Sequence, residues 1–216
     1  LVLTLVSGMV GCQCLNVFIC ICFASAAHTI KPLLQLDEGA GLIGVAARVF
    51  FWVCQMIQQR ILFVCTGNIC RSPTAEGVAR ALAEKQGMGH LFTFDSAGTI
   101  GYHKGEPPDR RAIAAAARRG YDLAPLRARQ VTESDFFNFD HVLAMDRGHL
   151  KVLEKLCPPM HRQGLGLFLE YVGTTLDDEV PDPYYGGPEG FEHVLTLVEN
   201  AADQLIRRLA GEMLRG

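Results

Sequence analysis

From Arg60 onward, short apolar runs alternate with longer segments whose apolar residues recur every three or four positions. Arg60-Ile61-Leu62-Phe63-Val64 is a β-branched and aromatic run of the kind buried in a parallel sheet. Residues 73–87 then place Ala75, Val78, Ala79 and Leu82 at helical spacing, and Gly87 ends the run. Leu91–Ser96 reads as a second strand closed by Ala97-Gly98, and Asp109–Arg119 as a helix stopped by Gly120 at C′. His141–Met145 supplies a third strand. The helix after it starts near Asp146 and ends before Cys157-Pro158-Pro159, because proline cannot continue it. Leu165–Tyr171 reads as a fourth strand. A long terminal helix lines up Phe191, Val194, Leu195, Val198, Ala202, Leu205, Ile206 and Leu209 on one stripe.

Strands alternating with helices predict an α/β fold: a three-layer, doubly wound sheet of about four parallel strands with helices on both faces. No internal repeat or low-complexity segment interrupts the order. In such a sheet the ligand site lies outside the carboxyl ends of the strands. That rule points to the residues just after Val64.

The first part of the chain follows a different pattern. Residues 1–59 hold only four charged side chains (Lys31, Asp37, Glu38, Arg48), while the remaining residues hold thirty-nine. Residues 1–27 carry no formal charge and exceed the roughly 18–20 apolar residues that span a bilayer. Three readings stand: a start site placed upstream of Met56, a membrane anchor, or a signal cleaved after Ala24-Ser25-Ala26 without the usual basic n-region. The predicted division is therefore an apolar extension over 1–55 and a folded domain over 56–216. Five of the eight cysteines precede Met56, at no spacing suited to zinc. Composition adds two exclusions. With 49% apolar and 20% charged residues the chain is not disordered, and a net charge of −3 gives no basic excess for nucleic acid.

Chemistry concentrates in Cys65-Thr66-Gly67-Asn68-Ile69-Cys70-Arg71-Ser72, followed by Pro73. Cys-x5-Arg alone is a weak pattern, but here a strand feeds it and a helix follows. Ser72 is a good N-cap, and Pro73 suits the first helical position, where its missing N–H costs nothing. The loop then curls over a helix N-terminus, where successive N–H groups and the helix dipole favour an anion. The same field stabilises a thiolate at Cys65. Arg71 brings a planar fork able to hold two phosphoryl oxygens at once. No Gly-Lys-Ser/Thr follows, so this is not a nucleotide-triphosphate loop.

Several motifs in order, from about Arg60 to the terminal helix, resemble the low-molecular-weight protein tyrosine phosphatase family. They are Val64–Pro73, Asp95-Ser96-Ala97-Gly98-Thr99, Ala128-Arg129-Gln130, Met145-Asp146 and Asp182-Pro183-Tyr184-Tyr185-Gly186. The resemblance implies that Cys65 attacks phosphorus and forms a phosphocysteine. Arg71 and the loop backbone from Thr66 through Gly67, Asn68, Ile69, Cys70 and Ser72 hold the oxygens. Asp182 protonates the leaving phenolate and then activates water. Independently of the family, Pro181 and Pro183 pin the Asp182 loop; the alternative is one more acid in a solvated acidic stretch. The resemblance pairs Asn68 with Ser96 to shape the loop, and places Tyr184, Tyr185 and Tyr102 around a phenyl slot, with His103 nearby. It also implies reversible disulfide protection of Cys65 by Cys70.

Leu126 departs from the pattern, since many relatives carry a loop-supporting histidine there; support must come from elsewhere, and a modest rate is expected. Arg110, Arg111, Arg118, Arg119, Arg127 and Arg129 read by default as helix-surface charge. Two rival activities share the scaffold. A thiol-coupled arsenate reductase with an internal relay needs a downstream cysteine pair, and only Cys157 follows the loop. A protein arginine phosphatase often carries Thr at the position of Ile69. The third rival, a non-catalytic phosphate-binding module, sits poorly with Cys65, Arg71 and Asp182 together. The reading is a metal-independent phosphatase without cofactor, cytoplasmic, monomeric or weakly dimeric. Its partner is a tyrosine-phosphorylated protein, and membrane contact follows only if residues 1–27 are an anchor.

Overall fold

Both faces of the first strand are covered, as its unbroken apolar run requires. In the computed structural model, which describes residues 58–173 and 178–213, strand β1 (Gln59–Cys65) buries Ile61, Leu62, Phe63 and Val64 completely. It pairs in parallel with β2 (Phe92–Gly98) on one side and β3 (His141–Ala144) on the other. β4 (Leu165–Leu167) lies outside β3, giving the order β2-β1-β3-β4.

Alternation along β1 sorts its side chains between two cores. Ile61, Phe63 and Cys65 join residues of α1 (Arg71–Lys85), α2 (Arg110–Arg118) and the terminal helix. Leu62 and Val64 join Phe136 of the short helix α3 (Asp135–Asn138) and Leu153 of α4 (Arg147–Leu156). These are the three layers the alternating pattern predicts. The terminal helix (Pro188–Met213) buries all eight residues of the predicted stripe, with Ala201 and Ala210 added.

The predicted fourth strand is cut short. Only Leu165–Leu167 is extended; the chain then turns into helix α5 (Phe168–Val172), which makes the terminal helix α6. Phe168 and Leu169 are consecutive and both buried, and Phe168 meets Phe63 edge-on at 5.0 Å. A strand would send these neighbours to opposite faces, whereas a helical turn puts both into the core against the terminal helix. A short apolar run cannot reveal that choice by periodicity.

The start of α1 also differs. The helix begins at Arg71 with Cys70 at the N-cap, so Ser72 is not the cap and Pro73 is the third helical residue. Pro73 still costs no hydrogen bond, because the first-turn N–H groups have no partner inside a helix. Elsewhere the caps agree with the chemistry: Asp109 caps α2, Asp146 caps α4, and Gly120 takes φ 85° just beyond α2.

β2 and β3 flank β1, so the chain leaves β1 to one side and later returns on the other. The crevice at the carboxyl ends of β1 and β3 is the switch point of the sheet. It receives Cys65 from one strand and Asp146 from just beyond the other. Among the described residues no helix is long and apolar enough to cross a membrane. The apolar stretch 1–27, the extension 1–55 and the boundary at Met56 lie outside the described residues.

Candidate active site

The turn after β1 is bent by one residue in an uncommon conformation. Asn68 takes φ 57° without being glycine, which reverses the backbone and lets successive N–H groups face one side. Among the described residues, none accepts a hydrogen bond from the backbone N–H of any residue from Thr66 to Ser72. Beneath the loop runs the exit of β2, where Thr99 N donates to Cys65 O and Ile100 N to Thr66 O. Gly98 is required at that crossing: a Cβ there would sit 2.7 Å from Thr66 O.

Side chains hold this shape from below. Asn68 is 1% exposed, and its amide donates to Ser72 Oγ (3.0 Å) and Ser96 Oγ (2.8 Å). Its carbonyl oxygen accepts from the Arg129 N–H at 2.9 Å. Ser96 in turn donates to the buried Glu76, whose carboxyl is pushed up by burial against the opposing pull of Ser96 and Arg80. Ser72 Oγ lies 3.0 Å from Cys65 Sγ. Asn68 fills one lone pair of Ser72, and the single hydroxyl proton has two acceptors in reach, Ala97 O at 3.3 Å and a Cys65 thiolate. The expected pair of Asn68 and Ser96 is thus in contact, and Ser72 acts on the cysteine rather than on the helix end.

Arg71 is 4% exposed and held on three sides. Nη1 donates to Asp146 Oδ2 (2.8 Å) and Val180 O (3.1 Å), and Nη2 to Asp182 Oδ2 (3.1 Å). Two of the three residues expected to do chemistry, Arg71 and Asp182, are therefore in direct contact. Asp146 has a second role. Its Oδ1 caps α4 by accepting from His149 N and lies 2.9 Å from His149 Nδ1. Burial alone would raise the Asp146 carboxyl, but the His149 contacts and Arg71 overcome it and hold the group well below the ordinary carboxylate range. His149 Nε2 shares a 2.7 Å hydrogen bond with Thr66 Oγ1, so the loop is braced at its second residue as well.

This bracing answers the question raised by Leu126. Every polar atom of the Asn68 side chain is engaged without a histidine at 126. Asp146, His149 and Glu76 were not singled out for the site from sequence; the Asp-x-x-His spacing at the start of α4 is the signal that could have found two of them. Arg129 is not a loose surface charge either, since its guanidinium grips Asp95 and Asp135 while its N–H serves Asn68.

Cys70 is buried beside Cys65 as a free thiol. Burial, then the charges of Asp109, Cys65 and Asp182, push it up to about 12, so it is neutral at ordinary pH. The aromatic residues stand at the rim. Tyr184 and Tyr185 meet edge-on at 5.1 Å, Tyr185 being 94% exposed. Tyr102 is 82% exposed and edge-on to His103, whose ring sits 3.0 Å from where a Gly67 Cβ would lie. Ile69 is half-buried against the core. Among the described residues, no group of three or more His, Cys, Asp or Glu side chains could hold a metal ion. A thiol at the base of an N–H-lined turn, a fixed guanidinium beside it and a carboxylate at the rim suit nucleophilic displacement on a tetrahedral oxyanion.

Comparisons with known proteins agree with this geometry. The model of the family described as low molecular weight phosphotyrosine protein phosphatase matches residues 60–214. A low molecular weight protein-tyrosine-phosphatase of Streptomyces coelicolor is 47% identical, over 68% of this chain and 91% of its own. A low molecular weight phosphotyrosine protein phosphatase of Schizosaccharomyces pombe is 44% identical, over 70% of this chain and 97% of its own. The solved structure of an Entamoeba histolytica protein tyrosine phosphatase, with Hepes in its active site, superposes with a TM-score of 0.69 at 39% identity. It covers 72% of this chain and 99% of its own.

Proposed function

The chain belongs to the low molecular weight phosphotyrosine protein phosphatase family and is a protein-tyrosine-phosphatase, and we propose that it hydrolyses phosphotyrosine through a phosphocysteine on Cys65. The observation that supports this assignment of roles is the 3.1 Å contact between Asp182 and Arg71, at the end of the Cys65 turn. In the first step the Cys65 thiolate attacks phosphorus in line with the aryl oxygen. The S–P bond forms, the P–O(aryl) bond breaks, and the Asp182 carboxyl delivers its proton to the departing phenolate oxygen. The N–H groups of Thr66 through Ser72 and the Arg71 fork hold the three equatorial oxygens, where charge grows in the transition state. Substrate phosphate draws the Arg71 fork away from Asp182, freeing that carboxyl to hold a proton. In the second step Asp182, now a carboxylate, takes a proton from water as it attacks phosphorus. Inorganic phosphate leaves and the thiolate returns.

Around this centre, Tyr102, Tyr184 and Tyr185 flank the phenyl ring, so small aryl phosphates are also turned over. The thiolate chemistry calls for a reducing compartment, the cytoplasm, and a tyrosine-phosphorylated protein is the partner. The test is hydrolysis of p-nitrophenyl phosphate and a phosphotyrosine peptide in EDTA with reductant, beside Cys65→Ser and Asp182→Asn. Metal-free turnover, abolished in the first variant and slowed about a hundredfold in the second, is the expected result. No turnover by the reduced protein overturns the reading.

A further inference from the structure

Arg111 belongs to the arginines that read as helix-surface charge, yet every part of its fork is engaged. Nε and Nη2 grip Asp109 at 3.0 and 2.8 Å, and Nη1 donates to the backbone oxygen of Tyr184 at 3.0 Å. The guanidinium lies over the rings of Phe191 (4.7 Å) and Tyr184 (5.4 Å). Arg118 and Arg119, at the opposite end of that helix, reach Glu192, Glu199 and Thr196 of the terminal helix.

The partners of Arg111 lead in both directions to the reacting groups. Asp109 N donates to Ile69 O at 2.7 Å, which fixes Asp109 to the phosphate-binding turn. On the other side, Tyr184 N donates to Asp182 Oδ1 at 3.0 Å, and Asp182 Oδ2 accepts from Arg71. The result is a closed circuit: Arg71, Asp182, Tyr184, Arg111, Asp109, Ile69, and back along the turn to Arg71. Only one link in it is broken by the reaction itself. When substrate phosphate takes the Arg71 fork, Asp182 loses that partner; Val180, two residues before it, keeps its bonds to Arg71 and Met145, and the strap through Arg111 is what holds the Tyr184 side of the segment to the turn.

We propose that Arg111 is a positioning residue that holds the Asp182 segment over the phosphate site and thereby sets the efficiency of leaving-group protonation. The inference rests on the reading of Asp182 as the acid. Arginine suits the task because one planar fork serves a carboxylate and a carbonyl together, which lysine cannot do. A proton matters most to a poor leaving group, so loss of the strap discriminates among esters where general loosening does not.

The experiment measures kcat/KM for aryl phosphates with leaving groups from phenol to 2,4-dinitrophenol, using the full chain. Arg111→Lys and Arg111→Gln are compared with the unaltered protein, each also in an Asp182→Asn background, with inhibition by inorganic phosphate as the gauge of the turn. The expected result is about a tenfold loss on phenyl phosphate and less than about twofold on the dinitrophenyl ester. In the Asp182→Asn background the Arg111 changes add nothing, and the inhibition constant for phosphate stays the same. Equal losses on all esters, losses that persist without Asp182, weakened phosphate inhibition, or no loss at all each overturn the proposal. Absence of turnover in the unaltered protein overturns instead the phosphatase reading beneath it.

Discussion

The turn that follows β1 and the segment around Asp182 face the same site but are built in opposite ways. In the turn Cys65, Asn68, Arg71 and Ser72 are each no more than 4% exposed. Their polar atoms are tied into β2 and α1, into the backbone of Arg129, and into the start of α4. Around the acid, Asp182 has a side chain 47% exposed, and Tyr184 and Tyr185 are exposed as well. Among the described residues that segment is held from outside by Met145 O and Arg71 at Val180, by Arg71 at Asp182, by Arg111 at Tyr184, and by the exposed Arg147 at Asp178 and Glu179. The difference follows from what each must do in the reaction proposed above. A binding site for growing charge works by donors fixed before reaction, so it belongs to the core. An acid and an aromatic wall must admit a bulky ester, and they stay at the surface where ordering them costs entropy only when substrate arrives.

If the contrast is right, substitutions in the turn damage stability and rate together, whereas those around the acid leave stability alone. Asn68→Ala has the largest expected effect. It strands Ser72, Ser96 and the Arg129 N–H in the interior, costing about 3 kcal/mol of stability in urea unfolding. Turnover falls roughly 10- to 100-fold as the turn loses its shape.

Asp146→Asn is expected to act less strongly and only through charge, because asparagine keeps the cap on α4. The Asp146 carboxyl is depressed in the folded protein, so the unfolded chain binds the extra proton more readily. Its contribution is therefore complete above the ordinary carboxylate value near pH 4 and is lost as pH falls below it. Urea unfolding from about pH 3 to pH 7 should give a flatter acid limb for the variant than for the unaltered protein. Equal slopes would show that Asp146 does not carry the pairing of Arg71 and His149. Tyr185→Ala closes the series: unfolding unchanged within about 0.5 kcal/mol, and KM for a phosphotyrosine peptide raised by no more than about threefold. A large loss of stability there would end the comparison, since it would mean the rim is part of the core.

Much of the domain was legible before any coordinates. The runs Arg60–Val64 and His141–Met145 read as strands of a parallel sheet covered on both faces, and the structure puts both inside it. The terminal stripe from Phe191 to Leu209 follows helical spacing without interruption, and Asp109, Asp146 and Gly120 announced helix ends by local capping chemistry. Cys65 and Arg71 were readable because the turn, the strand before it and the helix after it are contiguous in the chain. Where the reading failed, the deciding contact was distant. Phe168 and Leu169 turn helical because Phe63 and the terminal helix wait on one side of them. Ser72 has the chemistry of a cap, but its contact with Cys65 is reached only once the loop closes.

Sequence by itself thus determined the order of the four strands and the longer helices, the two covered faces of the sheet and the residues of the turn after β1, since all of these rest on periodicity and on neighbours within a few positions. Tertiary structure alone decided how that turn is braced. Thr66 meets His149, Arg71 meets Asp146 and Asp182, and Arg111 reaches Tyr184. Those partners lie 73 to 111 residues apart along the chain. No local rule brings them together; the parallel sheet does, by delivering the ends of β1 and β3 to one crevice.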